Sequence, residues 1–309
     1  MEKVQEVELT SSIDDLTGYT IYNNSARICD KNGILLAHFE KDIMPILSHD
    51  EMVIVDKLAK LSRTRGASAG KLDSSLEYYK SFKNGKAAPG RKIVQTKGKN
   101  YAILAGSVKP NKRCMEVNNP VYSSAVGLYG GGNSSNLAKT KGTRTCGASD
   151  EDLSILCPYI RSVDKAMEVL VPEEWERQFL KAQTHSNLFD TNITTITINK
   201  NFRTSVHTDK GNVIGFYSAL TVQTKGHYSG GYLLFPEYKI GFNIQSRDIL
   251  IFNPQIKHAN SEMTASKEQD ILNKELGLTN TLVNGRPYIH GDQHLFRRYS
   301  FVFYQRSGL

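Results

Sequence analysis

The chain has 309 residues, of which 39% are hydrophobic, and it carries 39 Lys or Arg against 31 Asp or Glu, for a formal net charge of +8. This length and apolar content suit one large domain with a sizeable core. The four cysteines show no CxxC pair or zinc spacing, MEKVQEVELT lacks a signal-peptide core, and no apolar run reaches membrane-spanning length. We therefore expect a soluble intracellular protein with reduced thiols, located in the nucleus or cytoplasm, or with the nucleoid in a prokaryote or phage.

The positive charge is concentrated in residues 57–113, which hold 15 Lys or Arg against two acids, Asp73 and Glu77. That segment carries +13, so the rest of the chain carries about −5. A basic stretch is typical of a surface that binds the phosphate backbone of a nucleic acid. The alternative interpretation is a solvated basic surface that aids solubility. Its aromatic residues could stack on exposed bases or anchor a loop on the core; they are Tyr78, Tyr79, Phe82 and Tyr101.

The first third of the chain predicts strands, one helix and long loops. Residues 17–39 predict a hairpin with its turn at residues 31–33. Residues 49–63 predict a helix, because their apolar side chains recur at helical spacing. Residues 64–150 are punctuated by glycine and predict short strands mixed with functional loops.

Two helix starts follow in the sequence. Ser149 with Asp152 three positions later has the pattern of a capping box, and Pro172 followed by two acids is typical of a first helical turn. Trp175, the only tryptophan, is expected to pack the second helix onto the core.

From residue 193 the pattern changes to short strands. An α+β fold is therefore predicted, a double-stranded β-helix or jelly roll buttressed by helices. We expect a single domain over 1–309, with N-terminal strands, basic Gly-rich loops and supporting helices in 1–192 and the jelly-roll core in 193–309. Residues 260–296 contain a short helical pattern and predict a surface insertion, with a lid as the alternative. The predicted strands are 193–206, 214–223, 231–235, 239–244, 248–252 and 299–304.

Three residues in the strand region have the composition of a metal site. His207 and Asp209 in VHTDKGN share one face if that segment is extended, and His258 ends the strand-like DILIFNPQIKH. Two histidines and one carboxylate form a facial triad, which leaves open positions on Fe(II). A His-x-Asp triplet alone is weak, so the order and the strand-like surroundings of all three carry the assignment. His290 and His294 are alternative ligands.

A second pair, Arg298 and Ser300 in RYSFVFYQR, again has i, i+2 spacing. A guanidinium is well shaped to bind a carboxylate through two parallel hydrogen bonds, and a hydroxyl can add a third. This pair predicts a site for the distal carboxylate of 2-oxoglutarate.

The stretches NKNFRTSVHTDKGN, YSGGYLLFPEY, SRDILIFNPQIKH and RYSFVFYQR together resemble the TET/JBP family of Fe(II)/2-oxoglutarate nucleobase dioxygenases. The resemblance implies His207, Asp209 and His258 as iron ligands, Arg298 and Ser300 as 2-oxoglutarate contacts, and Fe(II), 2-oxoglutarate and O2 as cofactors. No clear match is found to residues that read the base.

The resemblance further implies an oxidoreductase that hydroxylates the 5-methyl group of a pyrimidine in DNA, with 5-methylcytosine favoured over thymine. The base would be flipped out or already single-stranded. Arg65 and Arg203 lie beside motif residues and are candidates for substrate contact, with a surface or fold-supporting ion pair as the alternative. The competing functions are an oxygenase acting on protein or a small molecule and, least favoured, a non-enzymatic nucleic-acid-binding jelly roll. No membrane partner is expected.

Overall fold

A computed structural model describes all of residues 187–309 and part of the preceding chain. The described residues are 2–6, 13, 15–63, 66–70, 73, 75–78, 91–96, 99–104, 115–117, 119–129, 143–144, 148–184 and 187–309. Their strands are β1 (Glu2–Val4), β2 (Thr20–Tyr22), β3 (Ala26–Asp30), β4 (Leu35–Glu40), β5 (Arg91–Thr96), β6 (Lys99–Leu104), β7 (Met115–Val117), β8 (Tyr122–Tyr129), β9 (Thr143–Arg144), β10 (Thr195–Lys200), β11 (Ser218–Lys225), β12 (Ser229–Gly230), β13 (Leu233–Phe235), β14 (Ile240–Phe242), β15 (Ile249–Phe252), β16 (Ala259–Asn260), β17 (Met263–Thr264), β18 (Leu282–Val283), β19 (Arg286–Pro287) and β20 (Arg297–Tyr304). The α-helices are α1 (His49–Ala59), α2 (Asp150–Ile155), α3 (Cys157–Leu170), α4 (Pro172–Ala182) and α5 (Lys267–Glu275).

Two sheets form the body of the fold. The larger has nine strands in the order β1-β3-β4-β15-β11-β20-β10-β8-β9, and the smaller has four in the order β16-β13-β14-β2. Apolar residues of β11 and β15 from the first sheet and of β13 and β14 from the second belong to one buried cluster. Two sheets joined through such a core form a jelly roll, so the predicted α+β fold class is confirmed.

Helices α1 to α4 cover the outer face of the large sheet. A second buried cluster there combines their apolar residues with alternate residues of β10, β11, β15 and β20. Trp175 packs against this cluster, stacks on Phe179 at 4.8 Å and donates its indole N–H to Asp164, which confirms its predicted structural role. The capping box of Ser149 and Asp152 is also present.

A polar contact ties α1 to the sheet. Asp56 accepts hydrogen bonds from Lys200 at 2.5 Å, from Tyr299 at 2.7 Å and from Lys60. Burial raises the pKa of this carboxyl, but the hydrogen bonds from Lys200, Lys60 and Tyr299 outweigh burial and lower it to about 2.

The predicted hairpin over 17–39 is correct only in part. β3 and β4 pair antiparallel around the expected turn, whereas β2 pairs parallel with β14 in the small sheet. The amide of Thr20 donates to the carbonyl of Lys239, which lies in the last third of the chain. Local spacing cannot reveal a partner that distant, which explains the error.

The six strands predicted after residue 193 are confirmed, with shifted ends. The largest shift is in the first, which ends at Lys200, because Asn201 has a positive φ of 46° and turns the chain away from the ladder. The Asn201 side chain donates to the carbonyls of Gly291 and Phe296 and holds this bend. Helix α1 likewise ends at Ala59, before the predicted end at residue 63.

Other expectations fall in different parts of the structure. Helix α5 confirms the short helical pattern in 260–296 and begins with a capping box from Ser266. Cys29 and Cys157 are free thiols, whereas Cys114 and Cys146 lie outside the described residues. Among the described helices, the longest has 14 residues, and none is apolar enough over a sufficient length to span a membrane.

Candidate metal centre and adjoining cavity

His207, Asp209 and His258 lie together on the lining of one cavity. The segment carrying the first two is not a regular strand, contrary to the i, i+2 argument from sequence. His207 forms an isolated antiparallel bridge with His258, with amide to carbonyl distances of 2.9 and 2.8 Å in the two directions. The amide of Asp209 donates to the carbonyl of Pro254 at 3.0 Å. Backbone pairing between two distant segments therefore sets the position of all three side chains.

The three side chains present their polar atoms to one point. His207 Nε2 lies 3.5 Å from Asp209 Oδ1, and His258 Nε2 lies 3.7 Å from Asp209 Oδ2. One ligand atom from each residue lies within 4.8 Å of the others. Atoms separated by this much can share one first-row metal ion, whose bonds to such ligands are about 2 Å long. In the described part of the chain, no other cluster of His, Cys, Asp or Glu has this geometry.

Backbone carbonyls fix the orientation of both imidazoles. His207 Nδ1 lies 2.7 Å from the carbonyl oxygen of Ser205, and His258 Nδ1 lies 2.8 Å from that of Ile256. Because a carbonyl oxygen only accepts, both Nδ1 atoms carry the proton and both Nε2 lone pairs face Asp209. Burial lowers the pKa of His258, with the Asp209 carboxylate acting in the opposite direction, so its imidazole is neutral at pH 7 and available as a ligand.

A cavity of about 630 Å³ adjoins the triad. One wall is the inner face of β10 and β20, where polar residues alternate with the apolar residues that face the helices. Both strands are buried on both faces. The alternation in RYSFVFY therefore separates a face that packs on the core from a face that lines the cavity. The wall residues are Thr197, Asn199, Ser300, Val302 and Tyr304.

Arg298 is buried beside this wall, with 3% of its surface exposed. Among the described residues, its Nε and Nη2 atoms have no hydrogen-bond partner, and it is the only arginine with such buried atoms. A buried guanidinium without an acceptor is costly, and a carboxylate ligand would supply two charge-assisted hydrogen bonds. Arg298 does not line the main cavity; Ser300, two residues later on the same face, does.

Ser300 already accepts a hydrogen bond from Asn199 Nδ2 at 3.3 Å, and Asn199 Oδ1 accepts from Ser123 at 2.6 Å. This chain of bonds orients the Ser300 hydroxyl, whose hydrogen can be donated to a ligand in the cavity. The residues present therefore fit both a 2-His-1-carboxylate metal and a dicarboxylate co-substrate next to it.

Gly231 is required next to Arg298. It has a φ of +71°, and a Cβ at this position would lie 3.0 Å from Met263 Cγ and 3.3 Å from Arg298 Nε. Gly230 is tighter still, because its Cβ would lie 1.9 Å from the carbonyl oxygen of Glu262. Gly231 thus allows the chain to pass close to Arg298, and Gly230 allows it to pass close to the Glu262 backbone.

The remaining predicted residues lie elsewhere. Arg203 donates through Nε to the carbonyl of Asn260, a cavity residue, at 3.4 Å. His290 lies 3.6 Å from an Asp73 oxygen and His294 stacks on Phe296, so neither belongs to the triad.

Arg65 lies outside the described residues, as does about half of the basic segment 57–113. Two of its described cations are paired within the protein, Lys57 with Asp152 and Lys60 with Asp56.

Several cavity residues were not predicted from the sequence. Thr197 and Asn199 alternate with isoleucines in TITINK, and Tyr304 and Arg306 continue the i, i+2 series that begins at Arg298. Polar residues on one face of a strand whose other face is apolar were the available signal. The other unpredicted lining residues include Ser68, Lys210, Asn212 and Asn260.

The Tet_JBP family model, the oxygenase domain of the 2OGFeDO superfamily, matches residues 125–307, which is more than half of the chain. Thymine dioxygenase JBP1 of Trypanosoma brucei brucei is 31% identical over 117 residues, covering 38% of this chain and 14% of JBP1. The bifunctional helicase and thymine dioxygenase JBP2 of Trypanosoma cruzi is 27% identical over 152 residues, covering 49% of this chain and 12% of JBP2.

The chain thus spans less than a sixth of the length of these curated relatives. Among solved structures, NgTET1 in complex with 5mC DNA aligns with a TM-score of 0.47 and 11% identity, covering 94% of this chain and 82% of that chain.

Proposed function

Because the chain belongs to the Tet_JBP family of 2OGFeDO oxygenase domains, we propose that it is an Fe(II)- and 2-oxoglutarate-dependent dioxygenase that hydroxylates the 5-methyl group of a pyrimidine in DNA. The observation that carries the proposal is the convergence of His207, Asp209 and His258 beside a cavity that borders a buried arginine. We treat residues 1–309 as one dioxygenase domain, because the buried cluster under the helices draws on residues from both sides of position 192.

Each group of the site has a role in this proposal. His207, Asp209 and His258 would hold Fe(II), while Arg298 and Ser300 would hold the distal carboxylate of 2-oxoglutarate. With both bound, the centre supplies an oxidation in which one atom of O2 enters a C–H bond of the substrate methyl group and the other enters succinate as CO2 is released. The Nδ1–H bonds of the two histidines keep their Nε2 atoms directed at the metal.

The cavity suits a nucleobase that has left the helix. Its volume of about 630 Å³ lies within the usual range for small-ligand sites, and its walls combine Val302, Leu233 and Phe252 with hydroxyl and amide groups. A 5-methyl group on a stacked base is held within the duplex, so the base would be flipped or single-stranded when its methyl group reaches the centre. DNA is therefore the proposed partner.

Two bases fit this proposal, and they differ at ring position 4. 5-Methylcytosine, the base expected from the sequence, presents an amino donor there, and the amide oxygen of Asn212 is a candidate acceptor. Thymine presents a carbonyl acceptor, and the cationic side chains of the cavity, Lys210 and Arg306, are donors. This donor-rich lining, with the thymine dioxygenase names of the curated relatives, favours thymine as the second candidate.

The test is oxidation of matched DNA. Purified protein with Fe(II), 2-oxoglutarate and O2 is incubated with duplexes that contain 5-methylcytosine, or thymine with unmethylated cytosine, and the digested nucleosides are measured by mass spectrometry. We expect a gain of one oxygen on one nucleoside that is absent with His207→Ala. Succinate formation without any modified nucleoside would refute DNA as the substrate and would favour a protein or small-molecule substrate.

A further inference from the structure

The chain turns a corner where β10 leaves the large sheet. β10 ends at Lys200, and Asn201 follows with a positive φ of 46°, which lies outside the range of a strand. Beyond this residue the chain pairs with a different segment, at the bridge between His207 and His258. The corner at Asn201 therefore directs the chain away from β20 and toward the proposed metal ligands.

The side chain of Asn201 continues the ladder that its main chain leaves. Two residues that form a hydrogen-bonded pair in an antiparallel ladder exchange two N–H···O bonds. The Asn201 amide donates to the carbonyl of Arg298 at 2.8 Å, as in such a pair. The return bond runs from the Arg298 amide to Oδ1 of the Asn201 side chain, at 2.7 Å. The side-chain oxygen thus acts as a backbone acceptor, and Arg298 stays in the ladder although its partner has turned away.

The other half of the Asn201 side chain binds the insertion that precedes β20. Its Nδ2 donates to the carbonyl of Gly291 at 3.3 Å and to that of Phe296 at 3.0 Å. Because the Arg298 amide only donates and the two carbonyls only accept, a single orientation of the side-chain amide satisfies all three groups. Asn201 is 4% exposed, so these bonds are made away from solvent. The side chain is therefore held in one position.

Gly291 packs directly against the corner. A Cβ at this glycine would lie 2.5 Å from the Asn201 carbonyl oxygen and 2.8 Å from the Asn201 Cβ, and its φ is +102°. Only a glycine allows the insertion to approach Asn201 this closely. The insertion and the Asn201 side chain thus enclose the beginning of β20, where Arg298 lies.

The backbone of Arg298 has a large share in placing its guanidinium. Nε and Nη2 are buried and have no acceptor among the described residues, so no protein hydrogen bond at these two atoms orients them before a ligand binds. Their position depends instead on packing and on the backbone, whose amide is bonded to Asn201. A displacement of a binding group by about 1 Å is enough to weaken a site strongly.

We infer that Asn201 is a positioning residue for the co-substrate, which holds Arg298 in place for the distal carboxylate of 2-oxoglutarate while its own main chain turns toward the metal ligands. The inference rests on the proposed function, which supplies the identity of the ligand. Asparagine meets each requirement of the corner, because it offers an acceptor and a two-hydrogen donor and tolerates a positive φ better than most residues. Glycine would keep the φ but lose the bonds, and aspartate would keep the acceptor alone.

The test compares Asn201→Gly and Asn201→Asp with a matched control, Gln178→Ala. Gln178 is also a buried side-chain amide that exchanges two hydrogen bonds with backbone, but its partner is Tyr217 in the cluster under the helices. Calorimetry without O2 gives the Kd of Mn(II) and, with Mn(II) bound, the Kd of 2-oxoglutarate. Urea unfolding gives the stability of each protein. Asn201→Gly is also combined with Arg298→Met.

We expect Asn201→Gly to raise the Kd of 2-oxoglutarate roughly tenfold or more and to leave the Kd of Mn(II) unchanged. Asn201→Asp should lie closer to wild type, because it keeps the acceptor for the Arg298 amide. The control should lose stability and bind both ligands as wild type does. In turnover, the KM for 2-oxoglutarate should rise in Asn201→Gly while kcat at saturating co-substrate is retained.

The double variant separates positioning from general loosening of the fold. A residue that acts through Arg298 has nothing left to position in Arg298→Met, so Asn201→Gly should add no further loss of 2-oxoglutarate affinity there. An additive loss in the double variant would overturn the inference. Equal losses of Mn(II) and 2-oxoglutarate affinity in Asn201→Gly, or an equal loss in Gln178→Ala, would also overturn it.

A failure of the proposed function would be visible separately, as a wild type that binds Mn(II) but no 2-oxoglutarate. In that case the NMR signal of the Arg298 Nε–H group, assigned by its absence in Arg298→Met, decides the positioning role. A single signal in wild type and in Gln178→Ala that is shifted or split in Asn201→Gly would support the inference. The same signal in all three proteins would overturn it.

Discussion

Arg298→Met tests whether the buried guanidinium exists for the co-substrate. Methionine fills much of the same volume without charge, and the substitution removes the two N–H groups that lack an acceptor among the described residues. Each charge-assisted hydrogen bond contributes about 1.5–3 kcal/mol. We therefore expect a loss of about 3 kcal/mol in 2-oxoglutarate binding after desolvation, which is roughly 150-fold in Kd.

Arg298→Met should weaken 2-oxoglutarate binding but should not lower the stability of the protein without co-substrate. A buried cation without a partner destabilises the fold, so its replacement by an apolar side chain should leave the free energy of unfolding equal or higher. A structural arginine would behave differently, because its loss would break existing bonds and lower that free energy. The two roles thus predict opposite signs for one measurement.

The assay combines calorimetric titration of 2-oxoglutarate without O2 and urea unfolding of the protein without co-substrate. Arg298→Lys is the chemical control, because it keeps the charge but loses the planar fork, and we expect an intermediate Kd. An unchanged Kd for 2-oxoglutarate in Arg298→Met, together with a lower free energy of unfolding, would refute the reasoning.

Three further predictions address the metal, the backbone and the acid response. His258→Ala should weaken Fe(II) or Mn(II) binding roughly 100-fold or more by calorimetry, whereas His290→Ala, outside the triad, should leave it unchanged; equal effects would contradict the assignment. Gly230→Ala should lower the free energy of unfolding in urea by more than about 2 kcal/mol, because the added Cβ would meet the Glu262 carbonyl at 1.9 Å and the backbone φ at this position is +82°. A change below about 1 kcal/mol would contradict the close approach of Gly230 to that carbonyl. Because the pKa of Asp56 in the folded protein is lowered to about 2, the Asp56 carboxylate stabilises the fold above the unfolded value near 3.8, and this stabilisation is lost as pH falls through about 2. Asp56→Asn should therefore lower the free energy of unfolding by about 1–2 kcal/mol at pH 7 and by nothing near pH 2. The same loss at both pH values would contradict this linkage.

Much of the site was predictable from the sequence, because its chemistry is expressed over short distances in the chain. Arg298 and Ser300 have i, i+2 spacing on β20, so one strand presents both side chains. His207 and Asp209 are also two residues apart, and although their segment is not a regular strand, so short a separation keeps both side chains within reach of one ion. The helix start at Ser149 is similarly local, because a capping box closes within one helical turn. The alternation of polar and apolar residues also marked the strands that form the jelly roll.

Other features depended on which segments pair across the fold. The bridge between His207 and His258 brings the proposed ligands together from two segments that are separated by several strands. The parallel pairing of β2 with β14 joins the first strands of the chain to its C-terminal part. The alternation of residues in β20 indicates that the strand has two different faces. It does not indicate that both faces are buried, one under the helices and the other along the cavity.

The sequence by itself thus determined the fold class and the residue types and spacing of the proposed ligands, because local propensity and side-chain period carry that information. Only the tertiary structure decided that Nε and Nη2 of Arg298 are buried without an acceptor among the described residues and that Leu282 and Val283 are exposed. Burial and exposure depend on how distant segments pack in the folded protein, so a short segment of sequence cannot reveal them.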